Sequence, residues 1–188
     1  SSVVLWNLLT DDIIKIFETG NCYDLEFSPT GEYLVASCGI HLYIWDINKQ
    51  NLNVHTDYTS HNTALSFSPN GEYLAVGCLT DCIATIWNTK DWTLDHSLQY
   101  DECYVRHEGT SAIVFSNDSN LIFTGTYEGG IDVWWIYKLD NPRKTIITHH
   151  LRTLFSHKNA IVNLSMSSDS KLLVSGSVDG TIRLWGIK

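Results

Sequence analysis

Five tryptophans return along this chain at nearly even steps, each inside a short apolar stretch, and that recurrence constrains the fold more than any other feature. The stretches are "VVLWNLL", "HLYIWDI", "IATIWNT", "IDVWWIY" and "TIRLWGI", anchored at Trp6, Trp45, Trp87, Trp134 and Trp185. Their separations are 39, 42, 47 and 51 residues, close to the period at which four strands form one propeller blade. A second landmark precedes the last four: "LEFSPTGEYLVAS", "LSFSPNGEYLAVG", "IVFSNDSNLIFTG" and "LSMSSDSKLLVSG". From Phe27, Phe67, Phe115 and Met166 to the next tryptophan the distances are 18, 20, 19 and 19 residues, so two landmarks keep step across connections of unequal length.

Each unit reads as short strands joined by turns. "SPTG" and "SPNG" place Pro at the first central turn position and Gly where a positive φ is wanted, which reverses the chain. "YLVAS", "YLAVG", "LIFTG" and "LLVSG" are short, nearly continuous apolar runs, suited to strands buried on both faces. Apolar positions never recur at three- and four-residue steps over a window long enough for a stable helix.

These motifs resemble the WD-repeat family of β-propellers, and the resemblance runs through essentially the whole chain. "WDI" at Trp45–Ile47 is the family dipeptide, and "LLVSGSVDGTIRLW" is close to the family pattern for the second and third strands of a blade. The resemblance implies an all-β fold: about four blades of four-stranded antiparallel sheet, forming an incomplete arc. Residues 1–19 would end a preceding blade, 20–58, 59–106 and 107–156 would be whole blades, and 157–188 a final blade lacking its fourth strand. Propellers have 4–8 blades, and a ring closed on these ends would set two third strands competing for one place.

The resemblance also implies a buried hydrogen-bond chain of His, Ser or Thr, Asp and Trp. In the last unit these positions match His157, Ser175, Asp179 and Trp185. The third unit offers Thr124, Glu128 and Trp134, with His107 one residue out of place. In the second, Asp81 and Trp87 match while Val76 stands at the hydroxyl position; in the first, Gly39 stands at the acid position. His157, Ser175 and Asp179 are also the residue types of a hydrolase triad, but no G-x-S-x-G elbow occurs and Ser175 falls inside a predicted buried strand.

Composition narrows the function. With 12 Lys and Arg against 21 Asp and Glu, the net charge is −9, which disfavours nucleic acid and anionic membranes as partners. No apolar run approaches the length of a membrane-spanning helix. Five cysteines, Cys22, Cys38, Cys78, Cys82 and Cys103, form an odd set without framework spacing. That pattern favours reduced thiols and an intracellular, cytoplasmic or nuclear setting. Cys78 and Cys82 lack the second ligand pair a zinc site needs, and no glycine cluster leads into a phosphate-binding Lys and helix. No metal, cofactor or small-molecule substrate is therefore expected.

The resulting expectation is a non-enzymatic scaffold that presents propeller loops to other proteins within a multiprotein complex. The alternatives are a structural subunit whose blade edges complete a larger ring, or a ubiquitin-ligase substrate adaptor. By the resemblance, partner contacts fall on Thr80, Arg106, Tyr127, Glu128, Lys158 and Val178. Trp92 and Trp135 lie outside the repeat frame, so each could anchor an interface or cover a neighbouring blade.

Overall fold

The computed structural model describes residues 1–49, 51–55, 61–80, 83–99, 109–138, 146–155 and 157–186. Its regular structure is entirely β, in five antiparallel sheets that follow the chain in order. Strands β1 (Ser2–Asn7) and β2 (Asp12–Glu18) form a two-stranded ribbon. The first whole blade is β3 (Asp24–Phe27), β4 (Tyr33–Cys38), β5 (His41–Asp46) and β6 (Asn51–His55). The second is β7 (Asn62–Phe67), β8 (Tyr73–Cys78), β9 (Ala84–Asn88) and β10 (Thr93–Leu98). The third is β11 (Thr110–Phe115), β12 (Leu121–Thr126), β13 (Gly130–Lys138) and β14 (Ile146–Phe155). Among the described residues the last has three strands: β15 (Ile161–Met166), β16 (Leu172–Ser177) and β17 (Ile182–Gly186). This is an incomplete WD-type β-propeller. No described helix is long and apolar enough to cross a membrane.

The core lies between blades rather than within one. Val35, Leu42 and Ile44 of the first blade meet Leu65, Leu74, Val76 and Trp87 of the second. Ile86 and Leu98 of the second meet Phe115, Ile122, Trp134 and Ile136 of the third. Phe123, Ile131 and Val133 then pack on Ile161, Leu164 and Leu173 of the last. Central strands are consequently apolar on both faces, which is why their sequences are continuous runs rather than alternating ones.

Two glycines set how closely the blades approach. A Cβ on Gly77 would lie 2.9 Å from Thr110 Cγ2, and one on Gly125 would lie 2.6 Å from Ile161 Cγ2. The matching glycine of the last blade, Gly176, has only Val162 Cγ2 of its own sheet near it, at 3.8 Å. The opposite end of the seams is tied by turns. Ser119 and Ser170, with φ of 60° and 56°, stand where Gly31 and Gly71 stand in the first two blades. Each serine hydroxyl accepts a backbone N–H from the preceding blade's turn, Asn70 at 3.4 Å and Asn117 at 3.0 Å. A left-handed conformation that costs energy for a non-glycine residue thus directs an inter-blade hydrogen bond.

One expectation is corrected here. The cysteine count favoured reduced thiols, but Cys22 and Cys38 form a disulfide, and Cys78 is also disulfide-bonded. Pairing follows from strand register: Tyr23 N–H donates to Ser37 O at 2.8 Å and Asp24 faces Ser37, which sets Cys22 beside Cys38. Spacing along the chain carries no trace of that neighbourhood. Cys82 and Cys103 lie outside the described residues.

Candidate functional site

In the last blade the structure brings His157, Ser175, Asp179 and Trp185 together. Asp179 Oδ2 lies 3.1 Å from His157 Nδ1, and His157 Nε2 lies 2.8 Å from Ser175 Oγ. Trp185 Nε1–H donates to the same hydroxyl at 2.9 Å. With the imidazole proton on Nδ1, every member has a partner: His157 donates to the carboxylate, Ser175 donates to Nε2, and the indole donates to Ser175. Asp179 also accepts Thr181 Oγ1–H at 2.6 Å and the backbone N–H groups of Lys158 and Thr181, both at 2.9 Å. The Thr181 hydroxyl bond, followed by the Lys158 N–H, holds the Asp179 carboxyl well below the usual carboxylate range. Ser175 is fully buried, so although the three groups have the order of a hydrolase triad, the hydroxyl has no open side toward a substrate carbonyl.

The third blade uses a different acid. Trp134 Nε1–H donates to Thr124 Oγ1 at 3.1 Å, but Glu128, the residue at the expected acid position, is exposed. The buried acid is Asp132, one strand later. Its Oδ1 lies 3.2 Å from His150 Nε2 and accepts the Thr153 hydroxyl, and His150 packs against Trp134 at 4.7 Å between ring centroids. His149, its neighbour, points out to solvent, as strand alternation requires. In the second blade Trp87 Nε1–H donates to Thr85 Oγ1 at 3.0 Å, and Thr85 is the cross-strand partner of Val76. The hydroxyl missing at Val76 is supplied from the adjacent strand. A cross-strand table of polar residues could have found both Thr85 and Asp132; matching along the chain could not. Asp81, Arg106 and His107 lie outside the described residues.

At the end of the sheets where second strands turn into third strands, Thr80, Tyr127, Glu128, Lys158 and Val178 are all exposed. Tyr127 and Val178 retain 43% and 59% of their surface, large values for apolar side chains standing on fixed turns. Val178 N–H donates to Ala160 O at 2.9 Å, and Ser177 Oγ donates to Asn159 O at 2.9 Å. Burial, aided by the nearby Tyr23 phenol, pushes the Tyr127 phenol up. Tyr23 in turn reaches His61 Nδ1 at 3.5 Å. Of the two extra tryptophans, Trp92 is buried against Tyr33 and Phe67 at the seam of the first two blades, whereas Trp135 remains half exposed on β13.

Inside the arc, the first strands face a cavity of about 380 Å³ lined by residues that include Asp24, Glu26, Thr63, Ser111 and Asn163. Asp24 Oδ2 accepts Leu65 N–H and Glu26 Oε2 accepts Phe67 N–H, each at 2.8 Å. The two carboxylates thus satisfy backbone donors that the parallel approach of β3 and β7 leaves without a ladder partner. Burial dominates at Glu26 and pushes its carboxyl up to about 7, against the lowering effect of the Phe67 N–H.

Blade-to-blade cores, a Trp-to-hydroxyl bond in each of the last three blades and a complete His–Ser–Asp–Trp network in the final one define an arc of a WD-type propeller. The chain matches the WD domain, G-beta repeat family over residues 12–46, 50–88 and 148–186. It belongs to that family. It is 28% identical to the COMPASS component SWD3 of Saccharomyces cerevisiae over 164 residues, covering 85% of this chain and 47% of that protein. To a guanine nucleotide-binding protein subunit beta of Zea mays it is 27% identical over 194 residues, covering 97% and 50%. A shorter match, 30% identical over 76 residues and covering 40% and 20%, is to eukaryotic translation initiation factor 3 subunit I of Aspergillus niger. The chain spans about half the length of the first two relatives.

Proposed function

We propose that this chain is a non-enzymatic protein–protein interaction scaffold that works within an intracellular multiprotein complex, in the cytoplasm or nucleus. The observation that carries the reading is the contrast on one face: exposed Tyr127 and Val178 stand on turns whose backbones are held by hydrogen bonds. Such turns present their side chains from a backbone held before a partner arrives, so binding costs little further backbone entropy. Thr80, Glu128, Lys158 and Arg106 complete the proposed contact set. The names of the relatives, a COMPASS component, a G-protein subunit and an initiation-factor subunit, support membership of an assembly.

A second reading is favoured by the free face of the last blade. Ile182 and Leu184 keep 80% and 65% of their surface, and the Gly176 seat is not filled by a neighbouring blade. In this reading the arc docks further blades and its edges complete a ring. Adaptor function in a ubiquitin ligase has no comparable support, because Asn48 stands where the W-D-x-R pattern has Arg.

Co-purification from the native cell separates the readings. With Tyr127→Ala plus Val178→Asp, bound proteins should fall at least about tenfold with the melting temperature unchanged, as expected when interface anchors are removed. Retention of those proteins by this variant, together with their loss on Ile182→Asp plus Leu184→Asp, would put the second reading in its place.

A further inference from the structure

The last residue of the second strand is a repeat position occupied by Cys38, Cys78, Thr126 and Ser177 in blade order. In the last two blades its hydroxyl ties the adjoining turn. Thr126 Oγ1 accepts Gly130 N–H at 3.1 Å, while Ser177 Oγ accepts Asp179 N–H at 3.1 Å and donates to Asn159 O. The first two blades place sulfur there instead, and both sulfurs are in disulfides. In the first blade the partner is Cys22, which enters β3 immediately before Tyr23.

We propose that Cys22–Cys38 is a thiol–disulfide exchange site, through which the redox state sets the order of the entry to β3 and of Tyr23 on the face described above. The inference stands independently of what that face binds. Three observations carry it. The two cysteines are unequally buried: Cys38 is buried within β4, whereas Cys22 is only half-buried on the segment leading into β3, which makes it the side from which a thiolate approaches. The bond is not needed for strand pairing, because β3 and β4 are paired from Asp24/Ser37 to Phe27/Leu34 and Tyr23 N–H already donates to Ser37 O. Finally, the segment it controls is next to a contact between blades, the Tyr23 hydroxyl lying 3.5 Å from His61 Nδ1.

The chemistry balances with a low-molecular-weight thiol such as glutathione as reductant. Its thiolate attacks Cys22 Sγ, forming a mixed disulfide and expelling Cys38 as a thiolate that takes a proton from solvent. A second glutathione thiolate attacks the glutathione sulfur of the mixed disulfide. This yields oxidised glutathione and the Cys22 thiolate, which is protonated in turn. Oxidised glutathione drives the reverse.

The 188-residue protein can be equilibrated in glutathione buffers, quenched with acid, alkylated after unfolding so that the buried Cys38 thiol is labelled as well, and digested with trypsin. Cleavage after Lys15 and Lys49 leaves both cysteines in one peptide, residues 16–49. The expected result is a reversible passage from no label to two labels over about a hundredfold change in [GSH]²/[GSSG], the width of a two-electron couple. Hydrogen exchange at residues 19–24 should rise with reduction while Val35 and Ile44 stay protected. Cys22→Ser should exchange in both buffers as the reduced protein does. A peptide 16–49 that resists excess glutathione, or one that takes two labels in oxidised glutathione, would overturn the proposal. So would a Cys22→Ser protein whose exchange at residues 19–24 still followed the buffer, since the response would then belong to the Cys78 disulfide.

Discussion

The third and last blades carry the same Trp-to-hydroxyl pair in different surroundings. Trp134 donates to Thr124 inside a blade packed on both faces, and is almost completely buried. Trp185 donates to Ser175 in a blade packed on one face, and is only half-buried. The acid moves as well: Asp132 is sunk between β13 and β14, while Asp179 holds a turn at the rim. A repeat therefore specifies which groups meet, and the neighbouring blade decides what the meeting is worth. In the third blade the polar network ties β13 to β14 beneath two flanking blades; in the last it ties a rim turn to the strands below it.

The comparison is most sharply broken at the tryptophans. Trp134→Ala should destabilise by about 3–5 kcal/mol, the usual range for emptying a buried aromatic site, and Trp185→Ala by roughly half as much, since less of its surface is desolvated. Equal losses in chemical denaturation would mean that the hydrogen bond, not the flanking blade, sets the stability.

At the seam of the first two blades carboxylates add to the apolar packing, Asp24 and Glu26 accepting backbone N–H groups of the second blade, so this joint should respond to pH. A folded-state value near 7 for Glu26, raised from 4.5 by burial, means that the folded protein binds a proton the unfolded chain has released. Stability is then fully present below about pH 4.5 and falls as pH rises to about 7, by up to about 3 kcal/mol. Glu26→Gln keeps an oxygen for Phe67 N–H and should flatten that part of the profile, giving a variant more stable than the wild type at pH 8. Parallel profiles for the two proteins would refute the assignment.

The smallest effects belong to the glycine seats. Gly125→Ala drives a methyl group against Ile161 and should cost about 1–3 kcal/mol by overpacking. Gly176→Ala meets ordinary van der Waals contact and should leave the melting temperature within error. Should Gly176→Ala prove as damaging as Gly125→Ala, the last blade must be covered in solution, as the ring-completing reading requires.

Much of this could be read along the chain because a propeller's information is local. Turn residues, continuous apolar runs and the tryptophan step lie within one unit of about 40 residues, so the sheets, their order and the His157–Ser175–Asp179–Trp185 set were legible from the residues and the family pattern they matched. What escaped was contact across strands or between blades. Thr85 replaces the hydroxyl absent at Val76 because the two residues face each other in antiparallel register. Asp132 displaces Glu128 because His150 and Thr153 arrive from β14. Cys22 finds Cys38 through the pairing of β3 with β4, and Trp92 is used up by the aromatic rings of two blades.

The sequence by itself determined the local alphabet of this protein: strand, turn, strand, and a tryptophan whose indole must find an acceptor. That follows because side-chain alternation and turn chemistry act over a few residues. Only the tertiary structure decided which acceptor each indole takes, which acid is buried, which glycine is a seat and which cysteines bond. Those outcomes depend on which strands pair within a blade and which blades meet, across separations of up to 53 residues, and such neighbours are fixed only when strands pair and one blade packs against the next.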